Sequence, residues 1–394
     1  MIWCTTRILF AAAVVWCALV EIAEFVAGRL FGMVLDGDWF LLLTGSSTAD
    51  RAQFLQMYAL PLALAFAVFL AVSAVAVWVA CRTSRRAFLA AVAAAASVVA
   101  VRLAMDTVRG WKPLFVAFDT VRSTRDYWNV GRAGRWTDEL ASRVRAAPPD
   151  ATNYVVVIGE SLSSYRVPFY GYAKQTMPRL AALGDSLAVC GPVRVSSPYT
   201  VRALINLLIS DGHSAPVWFR LAGYRTCFVG AHDRWGRYCS VEASVFAACE
   251  RRVYLSDVNG GGRIYDEQVL PYVREMMEGD GPFALFVHLM GSHFEPGMRV
   301  PDGFAVGEGL DDYDRSVRYE DGVLADIVAA LPPRTVLIYI SDHGEGVDTG
   351  HWRDMTSEAM WSVPVFVYPA YAALNIDTEA DFVAIWRAWS SHGG

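Results

Sequence analysis

Residues 52–81 run for 30 positions without one charged side chain. About 20 mostly apolar residues suffice to cross a bilayer's hydrocarbon core, so this run reads as a membrane span. Two neighbours resemble it. Residues 8–27 are apolar apart from Glu21 and Glu24, and residues 87–105 are Ala- and Val-rich with Arg102 near their end. Residues 1–105 are therefore expected to form about three transmembrane helices. The rival for the first is a cleaved signal peptide behind Arg7, but no small-residue cleavage site follows. The rival for the third is a buried helix of a soluble core. Arg82, Arg85 and Arg86 lie between the second and third spans. Short loops rich in Arg face the cytoplasm, which puts the N-terminus inside and everything after residue 105 outside. The expectation is a multi-pass protein of the bacterial inner membrane with its larger part in the periplasm.

Charge divides along the same line. Residues 1–150 carry 15 basic and 11 acidic side chains, whereas residues 151–394 carry 19 and 29. An acidic larger part argues against a nucleic-acid partner, which needs a basic face. Residues 106–150 mix Arg, Asp, Trp and Tyr and end at Pro148-Pro149, the composition of a linker; residues 136–146 within it could form an amphipathic helix lying on the membrane. Cys190, Cys227, Cys239 and Cys249 fall in the exported part, where an oxidising compartment allows disulfides or buried thiols. Their pairing cannot be read from spacing.

Residues 151–394 alternate strand and helix patterns. Tyr154 to Ile158 is an unbroken β-branched and aromatic run, and 226–229, 283–289, 335–340 and 363–368 are similar. Such runs fit strands buried on both faces. Helical patterns fall at 200–210, 266–277 and 313–331. The alternation predicts an α/β fold, a mostly parallel sheet with helices on both faces. In such folds the ligand site lies beyond the carboxyl ends of the strands. Glu160 follows the first strand, Asp342 and His343 follow the 335–340 run, and His293 follows the 283–289 run. Carboxylate oxygen and imidazole nitrogen are ligands that suit Zn²⁺. His288 lies inside a strand and reads as a core residue; His213 and His232 read as ordinary histidines.

Several ordered motifs resemble the bacterial phosphoethanolamine transferases, membrane-anchored members of the alkaline phosphatase/sulfatase superfamily. They are Val157-Ile158-Gly159-Glu160-Ser161-Leu162, Tyr170-Gly171-Tyr172, Gln175-Thr176-Met177-Pro178, Ser197-Pro198-Tyr199-Thr200, Tyr265-Asp266-Glu267, His288-Leu289-Met290-Gly291-Ser292-His293, Tyr313-Asp314 with Arg318-Tyr319, and Ser341-Asp342-His343-Gly344-Glu345 with His351. The resemblance covers residues 40–370. It implies an alkaline phosphatase-like catalytic domain over 151–394, with Glu160, Asp342, His343 and the Thr200 hydroxyl holding zinc. Thr200 would be the nucleophile, and His293 and His351 would contact phosphate or a second zinc.

The physical case for Thr200 stands beside this. It opens an apolar helical run, and a helix N-terminus offers amides and a positive dipole end to a phosphate. The bland role is an N-cap. The implied reaction moves phosphoethanolamine from phosphatidylethanolamine to lipid A, a lipopolysaccharide core or a periplasmic glycan through a threonine-linked intermediate. A phosphoglycerol transferase or phosphodiesterase would use the same ligands. A non-catalytic membrane sensor or scaffold would need none of them, and a sulfatase would need a Cys/Ser-x-Pro-x-Arg motif that is absent. The chain departs from the family pattern in showing three spans rather than about five and in ending soon after residue 368, which is expected to bear on stability and activity.

Overall fold

The computed structural model describes the chain apart from residues 1, 32–47, 106–120, 122–124, 126–128, 149, 233–238, 306–308, 347–356, 373–374 and 392–394. It divides into two compact units, Met1–Asp126 and Tyr127–Gly394.

The first unit contains α1 (Ile2–Phe31), α2 (Thr48–Arg82) and α3 (Arg85–Met105). Two stretches, Thr5–Val26 and Ala59–Arg82, are long and apolar enough to cross a membrane. Leu60, Leu64, Phe66 and Trp78 point outward, as side chains facing lipid would. Arg7 of α1 donates 3.0 Å hydrogen bonds to the carbonyls of Ala80 and Thr83 at the end of α2. The last carbonyls of a helix generally lack an intrahelical partner, and a cation there also meets the negative end of the helix dipole.

The second unit is built on one sheet. Its strands are β1 (Asn153–Gly159), β2 (Ala188–Val189), β3 (Arg225–Gly230), β4 (Arg251–Tyr254), β5 (Phe283–His288), β6 (Thr335–Ser341) and β7 (Val365–Tyr368). Their order is β2-β7-β6-β1-β5-β3-β4. β1 lies parallel between β5 and β6, and β7 alone runs against its neighbours. Alternate strand residues feed two cores. Val156, Ile158, Phe228 and Phe286 pack on one face with α5 (Thr200–Leu208), α6 (Ala215–Leu221), α7 (Cys239–Val245) and α10 (Glu379–Ser391). Val155, Val157, Val229 and Leu285 pack on the other with α8 (Leu270–Met277) and α9 (Asp312–Ala330). The expected α/β sheet with helices on both faces is what forms.

One local expectation changes. The helix sought within 136–146 is α4, Asp138–Arg143, capped by the Thr137 hydroxyl, and it turns Leu140 into the core of this unit. Cys190, Cys227 and Cys249 are free thiols. Cys227, in β3, and Cys249, in the loop before β4, belong to the cores on opposite faces of the sheet. The side chain of Cys239 lies outside the described residues.

Candidate active site

The carboxyl ends of β1, β6, β5 and β3 share one edge, because these strands are parallel and in register. Glu160 is the first residue past β1, Asp342 and His343 follow β6, His288 ends β5, and His232 comes two residues after β3. Long-range backbone bonds lock these ends together. Asp342 N–H donates to the Gly159 carbonyl at 3.0 Å and Ser292 N–H to the Glu160 carbonyl at 2.9 Å. Gly291 passes so close that a Cβ there would lie 2.5 Å from the Glu160 carbonyl oxygen, and its φ is +49°. Ser161 also has positive φ, 59°. A non-glycine residue in that region costs energy and occurs where surroundings enforce it. Here Ser161 N–H reaches Asp342 Oδ1 at 3.0 Å, and Tyr313 donates to the Ser161 carbonyl at 2.6 Å.

Glu160 is the hub. It is fully buried. Its Oε2 accepts the Thr200 hydroxyl at 3.1 Å, and its Oε1 accepts the Ser161 hydroxyl at 2.7 Å. His343 Nε2 lies 3.3 Å from Glu160 Oε1 and 3.4 Å from Asp342 Oδ2. The other His343 nitrogen, Nδ1, donates to the Gly344 carbonyl at 2.7 Å. That bond orients the ring with Nε2 toward the carboxylates, as metal-binding imidazoles are held. Thr200 is the first residue of α5. The N-cap is Tyr199, which makes no side-chain cap bond; the Thr200 hydroxyl faces Glu160 instead of the helix's own amides.

The electrostatics are those of a buried cation site. Burial alone would raise Glu160; the hydrogen bond from His343 and the neighbouring His293, His343 and His232 outweigh it and hold it well below the usual carboxylate range. Burial and the Glu160 charge push Asp342 up. Burial would lower His343, but Asp342 and Glu160 drive it up to about 10. Two carboxylates thus share one compensating positive charge. Asp342 Oδ2 accepts no hydrogen bond from the described residues, and buried polar atoms rarely stay unpaired. One donor atom from each of Glu160, Asp342 and His343 lies within 4.8 Å of the others. This oxygen and nitrogen set fits Zn²⁺.

Of the residues picked from sequence, Glu160, Thr200, Asp342 and His343 come together. His293 lies beside the cluster, its ring centroid 6.1 Å from that of His232, with Nδ1 accepting from Arg299 at 3.3 Å. His351 lies outside the described residues. Sequence reasoning passed over His232 and His288. Their rings stack at 4.1 Å between centroids, and His232 Nε2 is 3.7 Å from Glu160 Oε2. The rule that found Glu160 and Asp342, a polar residue just past a buried strand, applies equally to His232.

A mostly parallel sheet with carboxylates, imidazoles and a helix-borne hydroxyl at its carboxyl edge defines an alkaline phosphatase-like α/β protein. The chain belongs to the sulfatase family, whose model, described as Sulfatase, matches residues 152–381. Phosphoethanolamine transferase EptC of Escherichia coli K12 is 26% identical over 290 residues, which cover 61% of this chain and 50% of that protein. The Kdo(2)-lipid A phosphoethanolamine 7''-transferase of the same strain is 23% identical over 275 residues, 56% of this chain and 44% of that protein. The chain spans about half the length of these curated relatives. The C-terminal periplasmic domain of the Escherichia coli EptC, solved in complex with zinc, superposes with a TM-score of 0.52 at 25% identity, covering 61% of this chain and 82% of that one. The integral membrane lipooligosaccharide phosphoethanolamine transferase A of Neisseria meningitidis shares the fold with a TM-score of 0.62 at 17% identity, covering 98% of this chain and 84% of that one.

Proposed function

We propose that this protein transfers phosphoethanolamine from phosphatidylethanolamine to lipid A, a lipopolysaccharide core or a periplasmic glycan, through a covalent intermediate on Thr200. The observation that carries this reading is the Thr200 hydroxyl aimed at buried Glu160, at the N-terminus of α5. Relatives that are phosphoethanolamine transferases support it.

Glu160, Asp342, His343 and the Thr200 hydroxyl would hold zinc, one ion at this cluster. Bound there, zinc would favour the Thr200 alkoxide and polarise a phosphoryl oxygen. Thr200 Oγ1 forms a bond to the donor phosphorus as the bond from phosphorus to the diacylglycerol oxygen breaks. The Thr200 hydroxyl, held 3.1 Å from Glu160, loses its proton to water as that bond forms, since Glu160 is a ligand held well below the usual carboxylate range. The amides opening α5 face the phosphoryl oxygens. His293 or His351 protonates the departing diacylglycerol oxygen. An acceptor hydroxyl or phosphate oxygen then attacks the same phosphorus and releases Thr200. The apolar helices keep the catalytic unit at the surface where donor and acceptor lipids reside. Arg82, Arg85 and Arg86 would mark the cytoplasmic side of a multi-pass inner-membrane protein whose catalytic unit faces the periplasm.

The test is the intact mass of the full chain after incubation with zinc and phosphatidylethanolamine, followed by peptide mapping. A phosphoethanolamine adduct on Thr200, absent from Thr200→Ala, supports the reading. Zinc-loaded, folded protein that forms no adduct overturns it, and release of free phosphoethanolamine would then point to a hydrolase.

A further inference from the structure

We propose that Arg299 is a positioning residue that fixes His293 as a neutral imidazole with its hydrogen on Nε2, so that His293 donates a hydrogen bond to a phosphoryl oxygen and delivers no proton. The task given to His293 rests on the transferase reading; the state of its ring does not. Arg299 Nη2 lies 3.3 Å from His293 Nδ1. A guanidinium carries only N–H donors, accepts nothing and stays charged in proteins. The contact is therefore a hydrogen bond only if Nδ1 presents its lone pair, and a neutral ring then holds its hydrogen on Nε2. Arg299 is anchored for this task. Its Nε and Nη2 both donate to the Phe294 carbonyl, at 3.1 and 2.9 Å, so it grips the residue next to His293. The turn that joins them is closely held. Glu295 takes a φ of 55°, and Met298 N–H donates to the Glu295 carbonyl at 2.8 Å. A Cβ on Gly297 would come 2.9 Å from the Asp312 carboxylate of α9, and Val300 is buried. His293 N–H in turn donates to the Met290 carbonyl at 3.2 Å.

Glu160 is the group that pulls the other way, since its charge and that of a protonated His293 attract. That carboxylate already has His343 Nε2 at 3.3 Å. An imidazolium at His293 would set an Nδ1–H against an Arg299 N–H, two donors and two like charges face to face. A neutral ring could release its one N–H only by becoming an anion, so His293 is not the general acid. What it supplies is a fixed N–H dipole for the charge that grows on a phosphoryl oxygen, the part a neutral imidazole can play as an electrophile. The proton for the departing oxygen then comes from His351 or from water. A nitrogen that carries hydrogen offers a metal no lone pair, so the same bond keeps His293 Nε2 out of the zinc set.

The test is the state of the imidazole, read by nuclear magnetic resonance of the zinc-loaded full chain in detergent. Histidine carries a magnetic nitrogen isotope, and the His293 signal is the one lost in His293→Gln. Wild type at neutral pH should show His293 as the neutral ring with hydrogen on Nε2. Arg299→Met, which removes the donor and keeps the length, should move that signal toward mixed tautomers or the imidazolium. Arg299→Lys, which keeps a donor, should stay nearer wild type. Zinc content, measured by mass spectrometry of the metal, should be the same in His293→Gln as in wild type. In transfer assays Arg299→Met should lose kcat on the order of 10²-fold with KM little changed. Hydrogen on Nδ1 or an imidazolium in wild type overturns the proposal, as does an unmoved signal in Arg299→Met or zinc lost from folded His293→Gln. If circular dichroism shows Arg299→Met unfolded, the wild-type spectrum decides alone. The expected tautomer without a Thr200 adduct sinks only the transferase reading, and an adduct with the other tautomer sinks only this inference.

Discussion

The Thr200 hydroxyl donates a 3.1 Å hydrogen bond to Glu160 Oε2, joining residues 40 apart in the chain. The bond crosses from a helix start to a strand end, and both groups lie where parallel β/α units place their chemistry. Thr200→Ala should remove the nucleophile and one of the four proposed zinc donors while leaving the helix start in place, because the N-cap is Tyr199 rather than Thr200. Transfer should fall by on the order of 10³-fold or more, with the melting temperature lowered by less than full metal removal lowers it, because Glu160, Asp342 and His343 remain. Thr200→Ser should keep part of the rate. Steady-state transfer and a thermal scan on the same preparations decide it.

Removing metal should destabilise the second unit. A ligand bound only by the folded state, at a hundred-fold excess over Kd, adds about 2.7 kcal/mol, which for a unit of this size is roughly 5–10 °C. Chelator should lower the wild-type transition by that order and zinc should restore it. Glu160→Gln, which loses the hub of the cluster, should show almost no response to either. A Glu160→Gln protein that still gains several degrees on zinc addition would remove Glu160 from the ligand set.

Asp314 sets a pH dependence away from the metal ligands. Its fully buried carboxylate accepts Arg166 at 2.8 Å, Tyr172 at 2.7 Å and Lys174 at 2.6 Å. Burial alone would raise it, but hydrogen bonds from Lys174, Tyr172 and Arg166 prevail and lower it. A carboxylate lowered in the folded state binds its proton more tightly when unfolded. Its stabilisation is therefore present above the unfolded value, about 3.9, and is lost as pH falls through the folded one. The urea midpoint of wild type should drop more steeply below about pH 4 than that of Asp314→Asn. At pH 7 the substitution should cost about 2 kcal/mol, less than the ~3–5 kcal/mol of a broken buried pair, because Arg166 keeps Asp311. Parallel pH curves for the two proteins would contradict this.

The strands were legible because parallel strands are buried on both faces, and a run such as Tyr154 to Ile158 cannot be satisfied any other way. Glu160, Asp342 and His343 were legible for the complementary reason: each interrupts the apolar pattern at a strand end. His232 follows the same rule but was passed over, and its pairing with His288 was not legible, since that depends on β3 pairing with β5 in a register that puts Gly230 beside His288. Strand neighbours are fixed by tertiary packing, and 58 residues separate those two. The cysteines were left open for a similar reason. Their compartment allowed disulfides or buried thiols, and only the packed fold shows Cys227 of β3 and Cys249 of the loop before β4 in cores on opposite faces of the sheet. Leu140 reads as one apolar residue in a polar stretch, and only the finished core shows what it fills.

Asp266 positions the loop that carries His293. Its two carboxylate oxygens accept the amides of Met290 at 2.6 Å and Gly291 at 2.8 Å, and Gly291 in turn touches the Glu160 backbone. Asp266→Asn keeps the shape but turns one acceptor into a donor, leaving a loop amide unpaired at a cost of about 1–3 kcal/mol. His293, two residues beyond Gly291, should then shift relative to the phosphorus. Displacements of this size cost on the order of 10- to 100-fold in rate. The expected signature is a fall in kcat with KM little changed and zinc content intact, since no proposed zinc ligand has been touched. A variant that melts lower yet turns over at the wild-type rate would reduce Asp266 to a structural brace.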